Sequence, residues 1–252
     1  MPPSARLAAL GTAAALLVGC STDGDADRRP GDGLTQEEAG TLAGLLQRNH
    51  RQGGADFVAS TRFGEAAVLT LTGEVDFRTA RGRAQAQLTT DDGEEETHTV
   101  FFNGDEIWFG DVPGLAEALA TDGAPDADYL RRPLAVIEGE TAALVDVLAH
   151  LVLQLSARTA DDPRAFLDGG WTWQGERAVD GRPVVTFEAG GRAVAVGAAD
   201  ALLVEFRTPV PGTDAVVTVT LDEHGRQEID LPDDAATADA ADHAAVVEAL
   251  AL

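Results

Sequence analysis

The side chains that most often do chemistry are scarce in this chain and poorly spaced for it. Cys20 is the only cysteine, so no disulfide can close within the chain. Beyond it the serines are Ser21, Ser60 and Ser156, and none sits in the Gly-x-Ser-x-Gly setting of a nucleophile elbow. The histidines His50, His98, His150, His224 and His243 never recur at the spacing that puts two imidazoles on one helix face to hold a metal. His150 falls in an apolar helical stretch, where a core or boundary role is the ordinary one. The acidic run Asp91-Asp92-Gly93-Glu94-Glu95-Glu96 lacks the ligand spacing of a calcium loop and suits a solvated turn. The glycines form no phosphate loop. Carboxylates abound, but the sequence does not show which of them face each other. The residues therefore point to a protein that is not an enzyme, with no metal and no cofactor.

Cys20 has a more specific setting. Arg6 is the only charge before it, and Leu7 to Val18 is apolar apart from Gly11 and Thr12. That is a short positive region followed by an apolar region of signal-peptide length. It falls short of the roughly 20 apolar residues a membrane-spanning helix needs. Leu17-Val18-Gly19-Cys20 resembles the bacterial lipobox. The resemblance implies cleavage before Cys20 and a diacylglycerol on its sulfur, which anchors the exported chain to the outer face of the cell membrane. Acyl chains hold well because each buried methylene is worth about 0.8 kcal/mol. Residues 1–19 are then a signal peptide. Residues 20–33, rich in Gly and Asp, are expected to be a disordered tether of at most about 45–50 Å.

The whole chain is strongly acidic: 43 Asp and Glu against 18 basic residues, for a net charge of −25. Nucleic acid is excluded as a partner, since phosphates are met by clustered cations. Every basic residue is arginine, and alanine is abundant, as in a high-GC genome such as an actinobacterium's.

The positioning elements follow from periodicity. Thr35-Gln-Glu-Glu38 is a capping-box pattern, and Ala39, Leu42, Ala43, Leu45 and Leu46 make an apolar stripe that Gly53-Gly54 ends. From Phe57 the period falls to two. Leu69, Leu71, Gly73, Val75 and Phe77 take one face while Thr70, Thr72, Glu74, Asp76 and Arg78 take the other. Residues 80–88 alternate small residues with Arg and Gln, and Asn103-Gly104 is a hairpin turn between two further strands. Glu140 to Ala157 reads as the covering helix, and Asp161-Asp162-Pro163 starts a short second one. Strands resume at Trp171, turn at Asp180-Gly181, and continue through residues 184–188, 202–207, 215–221 and 228–231. One-faced strands with helices to cover them make an α+β domain with an antiparallel sheet. The domain spans 34–232, and 233–252 is an Ala- and Asp-rich tail able to form a helix.

Several segments together resemble the LppX/LprG group of actinobacterial lipoproteins, whose fold is related to the carrier LolA. They are the lipobox, Leu71-Thr-Gly-Glu-Val-Asp-Phe77, Phe102-Asn-Gly-Asp-Glu-Ile-Trp108, the 174–184 hairpin and His224-Gly-Arg-Gln-Glu-Ile-Asp-Leu-Pro232. The resemblance implies a curved antiparallel β half-barrel with helices packed on its concave face. It also implies an apolar cavity for the acyl chains of a lipid or glycolipid, and a monomer that helps carry or present envelope lipids. A membrane transporter is then a candidate partner. The tail from Asp233 is longer than the family pattern.

The inward faces supply the expected cavity lining: Leu69, Leu71, Val75, Phe77, Phe101, Ile107, Phe109, Val185, Phe187, Val204, Phe206, Val217, Val219 and Leu221. The covering helix adds Leu144, Val147, Leu148 and Leu151. Small residues along 80–88 and few aromatics suggest room, although the same pattern serves an ordinary packed core. Trp171 and Trp173 mark either a cavity mouth or core packing. A non-transporting envelope adaptor that binds a protein partner is the alternative use of the same fold.

Overall fold

A computed structural model describes residues 28–63, 67–124, 126–135, 143–210 and 212–250. The signal peptide, Cys20 and most of the expected tether lie outside the described residues.

The strands are β1 (Asp32–Gly33), β2 (Gly54–Phe63), β3 (Ala67–Asp76), β4 (Arg81–Thr90), β5 (Glu95–Asn103), β6 (Glu106–Gly110), β7 (Tyr129–Pro133), β8 (Thr172–Val179), β9 (Arg182–Ala189), β10 (Arg192–Gly197), β11 (Leu203–Pro209), β12 (Val216–Gly225) and β13 (Thr237–Asp239). They form one 13-stranded sheet in the order β1-β8-β9-β10-β11-β12-β2-β3-β4-β5-β6-β7-β13. It is curved and unclosed. Each sequence half is a meander, and the halves join where β12 pairs with β2, Val219 opposite Ala59. All pairings are antiparallel except β13 on β7. The α+β reading therefore holds.

Among the described residues six α-helices accompany the sheet: α1 (Gln36–Ala43), α2 (Leu45–Gln52), α3 (Leu115–Thr121), α4 (Leu144–Leu153), α5 (Pro163–Asp168) and α6 (Ala244–Leu250). The capping box at Thr35 is present, with Glu38 N–H donating to Thr35 Oγ1 at 3.2 Å and Thr35 N–H donating to Glu38 Oε2 at 2.8 Å. The single helix expected after Thr35 is broken at Gly44. There Arg48 turns back to donate to the carbonyls of Thr41 and Ala201, so the break ties the helix layer to the loop before β11. α5 starts as expected, with Asp162 capping Arg164 N–H and Pro163 in the first turn. The covering helix is described from Leu144 to Leu153; its expected start at Glu140 lies outside the described residues.

Hairpin turns keep register. Asp180 and Gly181 both have positive φ, 48° and 82°, as a type I′ turn demands. Asn103 Oδ1 accepts from the N–H groups of Asp105 and Glu106 at 2.7 and 2.8 Å, closing the β5–β6 turn.

α4 packs on β2, β3 and β4, α2 on β2, β11 and β12, and α1 on α5. Under them one core runs through Leu42, Phe57, Leu71, Phe102, Leu148 and Val219. A smaller cluster, Val179, Val184, Ala195 and Val204, lies apart from it on the outer face.

Three expectations are corrected. Residues 228–231 form no strand. Residues 28–33 are docked rather than free: β1 pairs with β8, and Arg28 bonds Glu38 at 2.5 Å while lying 4.9 Å from the Trp173 ring. The tail is part of the fold: β13 extends the sheet edge and α6 packs against α3. His243 and Asp122 join the two at 2.8 Å.

Candidate functional site

Most of the expected lining residues are buried in the core. Leu71, Val75, Ile107, Leu148 and Val219 have 0% exposure. A side chain with no surface that a water molecule can touch borders no void large enough to hold one. Val217 and Leu221 keep 1%, Phe109 and Phe187 2%, Phe77 4%, Val147 7% and Leu69 8%. Leu144, Leu151, Val185 and Phe206 are half-buried against the same core.

Two of the residues face the other way. Phe102, with 0% exposure, takes the inward place expected of Phe101. Phe101 meets Tyr129 edge-on at 5.9 Å, on the outer side with Trp108 opposite it. Val204 belongs to the outer cluster, because the register shifts after Ala195 and leaves Leu203 facing the core instead. Strict alternation misassigns every residue past such a bulge.

The small residues of β4 do not leave a void either. A Cβ on Gly82 would stand 2.1 Å from Phe102 Cζ. Ala84 and Ala86 are 3% and 0% exposed, beneath α4. The small side chains admit a large ring and a helix.

Space remains at the other end of the concave face. α4 covers β2–β4, while α2 lies over β2, β11 and β12 and adjoins α1, which packs on α5. Between these two groups a cleft of about 220 Å³ reaches the sheet. Leu42, Leu45 and Leu46 form one wall, and Leu151 and Leu155 another. Val194, Leu203 and Phe206 make the floor on β10 and β11. Phe166 and Trp171, 5.8 Å apart, flank it, and Gln154, Asp161 and Arg192 supply the polar groups. Of the residues chosen from sequence, Leu151 and Phe206 line this cleft. Trp171, read as a mouth or core residue, stands at it. Val194 was missed with its strand; the Gly190-Gly191 pair, with φ of 56° and 80°, is the turn signal that marks β10.

Two more hollows flank the sheet. One of about 750 Å³ lies under the docked N-terminal segment, between Arg28, Glu38 and the concave face at Trp173, Val185 and Phe187. Burial pushes the Glu38 carboxyl up, but hydrogen bonds from Arg28 and Thr35 outweigh it and hold the group below its ordinary value. The other, about 470 Å³, lies among Asp56, Glu74, Asp180, Arg182, Val204 and Asp222. Burial, with Glu74 and Asp222 nearby, pushes the Asp56 carboxyl up.

Among the described residues no three His, Cys, Asp or Glu side chains gather to hold a metal. No helix described is long and apolar enough to cross a membrane.

No protein-family model and no curated protein matches the sequence. Two solved structures align with the chain at low identity. An uncharacterized conserved protein from Thermus thermophilus aligns at 11% identity and a TM-score of 0.35, over 77% of this chain and 94% of that one. A LolA superfamily protein from Nitrosomonas europaea aligns at 10% identity and a TM-score of 0.28, over 79% of this chain and 96% of that one.

Proposed function

We propose that the protein is an exported lipoprotein, anchored through Cys20 to the outer face of the cell membrane. In this reading it binds an acyl chain of a lipid or glycolipid and helps carry or present envelope lipids. The observation that carries the reading is the apolar cleft between the two helix groups, lined by Leu42, Leu45, Leu46, Leu151, Leu155, Val194, Leu203 and Phe206.

Size sets what the cleft can do. At the roughly 30 Å³ a water-sized unit occupies, 220 Å³ holds about seven methylenes. At about 0.8 kcal/mol each, they contribute about 5–6 kcal/mol, a dissociation constant near 0.1 mM. That is a loose hold on one chain end. It suits a protein that hands its ligand on, while the anchor keeps the ligand near the membrane.

The test is lipid extraction from the full chain carrying Cys20→Ser, purified from an envelope-containing host. Acyl lipid should co-purify and be lost when Leu46→Phe narrows the cleft. Equal lipid in both proteins would overturn the reading.

A second reading, an envelope adaptor that binds a protein partner, is favoured by the tightly filled core around Leu71, Val75, Ile107 and Leu148. Cross-linking in cells separates the two, because an adaptor gives one stoichiometric protein partner and carries no lipid.

A further inference from the structure

We propose that the cleft selects single-chain amphiphiles with a monoanionic headgroup, a fatty acid carboxylate above all, and that Arg192 receives that headgroup. The inference rests on the acyl-chain reading of the cleft.

Arg192 and Val194 are two residues apart on β10, so both project to the same face of the sheet. Val194 is 6% exposed on the cleft floor, whereas Arg192 is exposed at the start of the strand, just past the Gly190-Gly191 turn. The cleft therefore runs from a dry floor to a cation at its mouth, the polarity of a fatty acid. Among the described residues the Arg192 side chain has neither an ion pair nor a hydrogen bond. Arg28, Arg131, Arg132, Arg177 and Arg182 are all held by carboxylates. In so acidic a protein, an arginine left unclaimed beside an apolar cleft is available to an incoming anion.

Asp161 bears on which anion is accepted. Asp161 lines the same cleft but stands beyond ion-pair distance of Arg192. It opposes a second negative charge at the mouth, so a carboxylate is accepted more readily than a phosphate dianion.

The full chain carrying Cys20→Ser is titrated calorimetrically at neutral pH with decanoate, decanol and decyl phosphate. Decanoate should bind more tightly than decyl phosphate. Arg192→Gln should weaken decanoate about three- to fivefold, as loss of an exposed ion pair does, and leave decanol unchanged. Arg192→Lys should restore most of the loss, and Asp161→Asn should tighten both anions. If Arg192→Gln weakens decanol as much as decanoate, or weakens neither, the headgroup role is overturned while the cleft reading stands. If neither decanoate nor decanol binds the parent protein, the cleft reading fails and this inference fails with it.

Discussion

Replacing Asp146 by alanine should unhook the helix that forms one wall of the cleft. Asp146 lies in the first turn of α4 with 0% of its side chain exposed. Its two oxygens accept from Arg132 at 2.8 and 2.9 Å, and one also accepts from Ala135 N–H at 2.9 Å. Among the described residues the N-terminus of α4 has no capping side chain, and this carboxylate joins the helix to β7. Its loss leaves the Arg132 guanidinium, 17% exposed and 5.0 Å from the Phe109 ring, without its counter-ion, and leaves one backbone donor unpaired. Breaking a buried pair from one side costs about 3–5 kcal/mol, and the partial exposure of Arg132 places the cost near the lower figure, about 3 kcal/mol. For a domain of this size that lowers Tm by roughly 6–12 °C. Urea and thermal unfolding measure both. Replacing the pair together, Arg132→Met with Asp146→Leu, should bring stability back near the parent value, because the cost lies in the stranded charge. A loss under about 1 kcal/mol for Asp146→Ala, or a double variant no better than the single one, would mean that the buried pair does not hold α4 to β7.

Gly82→Ala should destabilise by about 1–3 kcal/mol in urea unfolding, since its Cβ meets the Phe102 ring, and Phe102→Leu should recover part of the loss. Acidification should weaken the fold. Burial lowers the His98 and His224 values from the ordinary 6.5, with Arg182 adding to the effect at His224. As pH falls below 6.5 the unfolded chain takes up protons that the folded one resists, so stability is lost. His98→Phe should flatten that slope in unfolding measured across this range, and an unchanged slope would count against it. Glu38→Ala should loosen the docked N-terminal segment and raise the rate of tryptic cutting after Arg28 about fivefold, because cleavage follows the open population.

Periodicity made the one-faced strands, the capping box at Thr35 and the turns at Asn103-Gly104 and Asp180-Gly181 legible, because each is a local pattern with a local cause. β10 was not, since its alanines and valines show little contrast between faces. β7 and α3 are short, and β13 forms only against β7. The site was less legible than the fold. A sequence shows which face of a strand is dry, but not which dry residues another element fills. Leu71 and Phe206 both face the core, yet α4 closes over β3 and leaves Phe206 half-buried at the cleft on β11. Gly82 and Ala84 looked like vacancies because Phe102, which fills one of them, comes from another strand.

An acyl chain in the cleft can be detected optically. Trp171 stands in it, so with Trp108→Phe and Trp173→Phe the indole at 171 becomes a local reporter. Titration with a fatty acid brominated near its methyl end should quench that fluorescence with a midpoint near 0.1 mM, by the methylene count above. Adding Leu46→Phe should shift the midpoint upward severalfold. No quenching up to about 1 mM, or quenching that Leu46→Phe leaves unchanged, would contradict acyl-chain binding in the cleft.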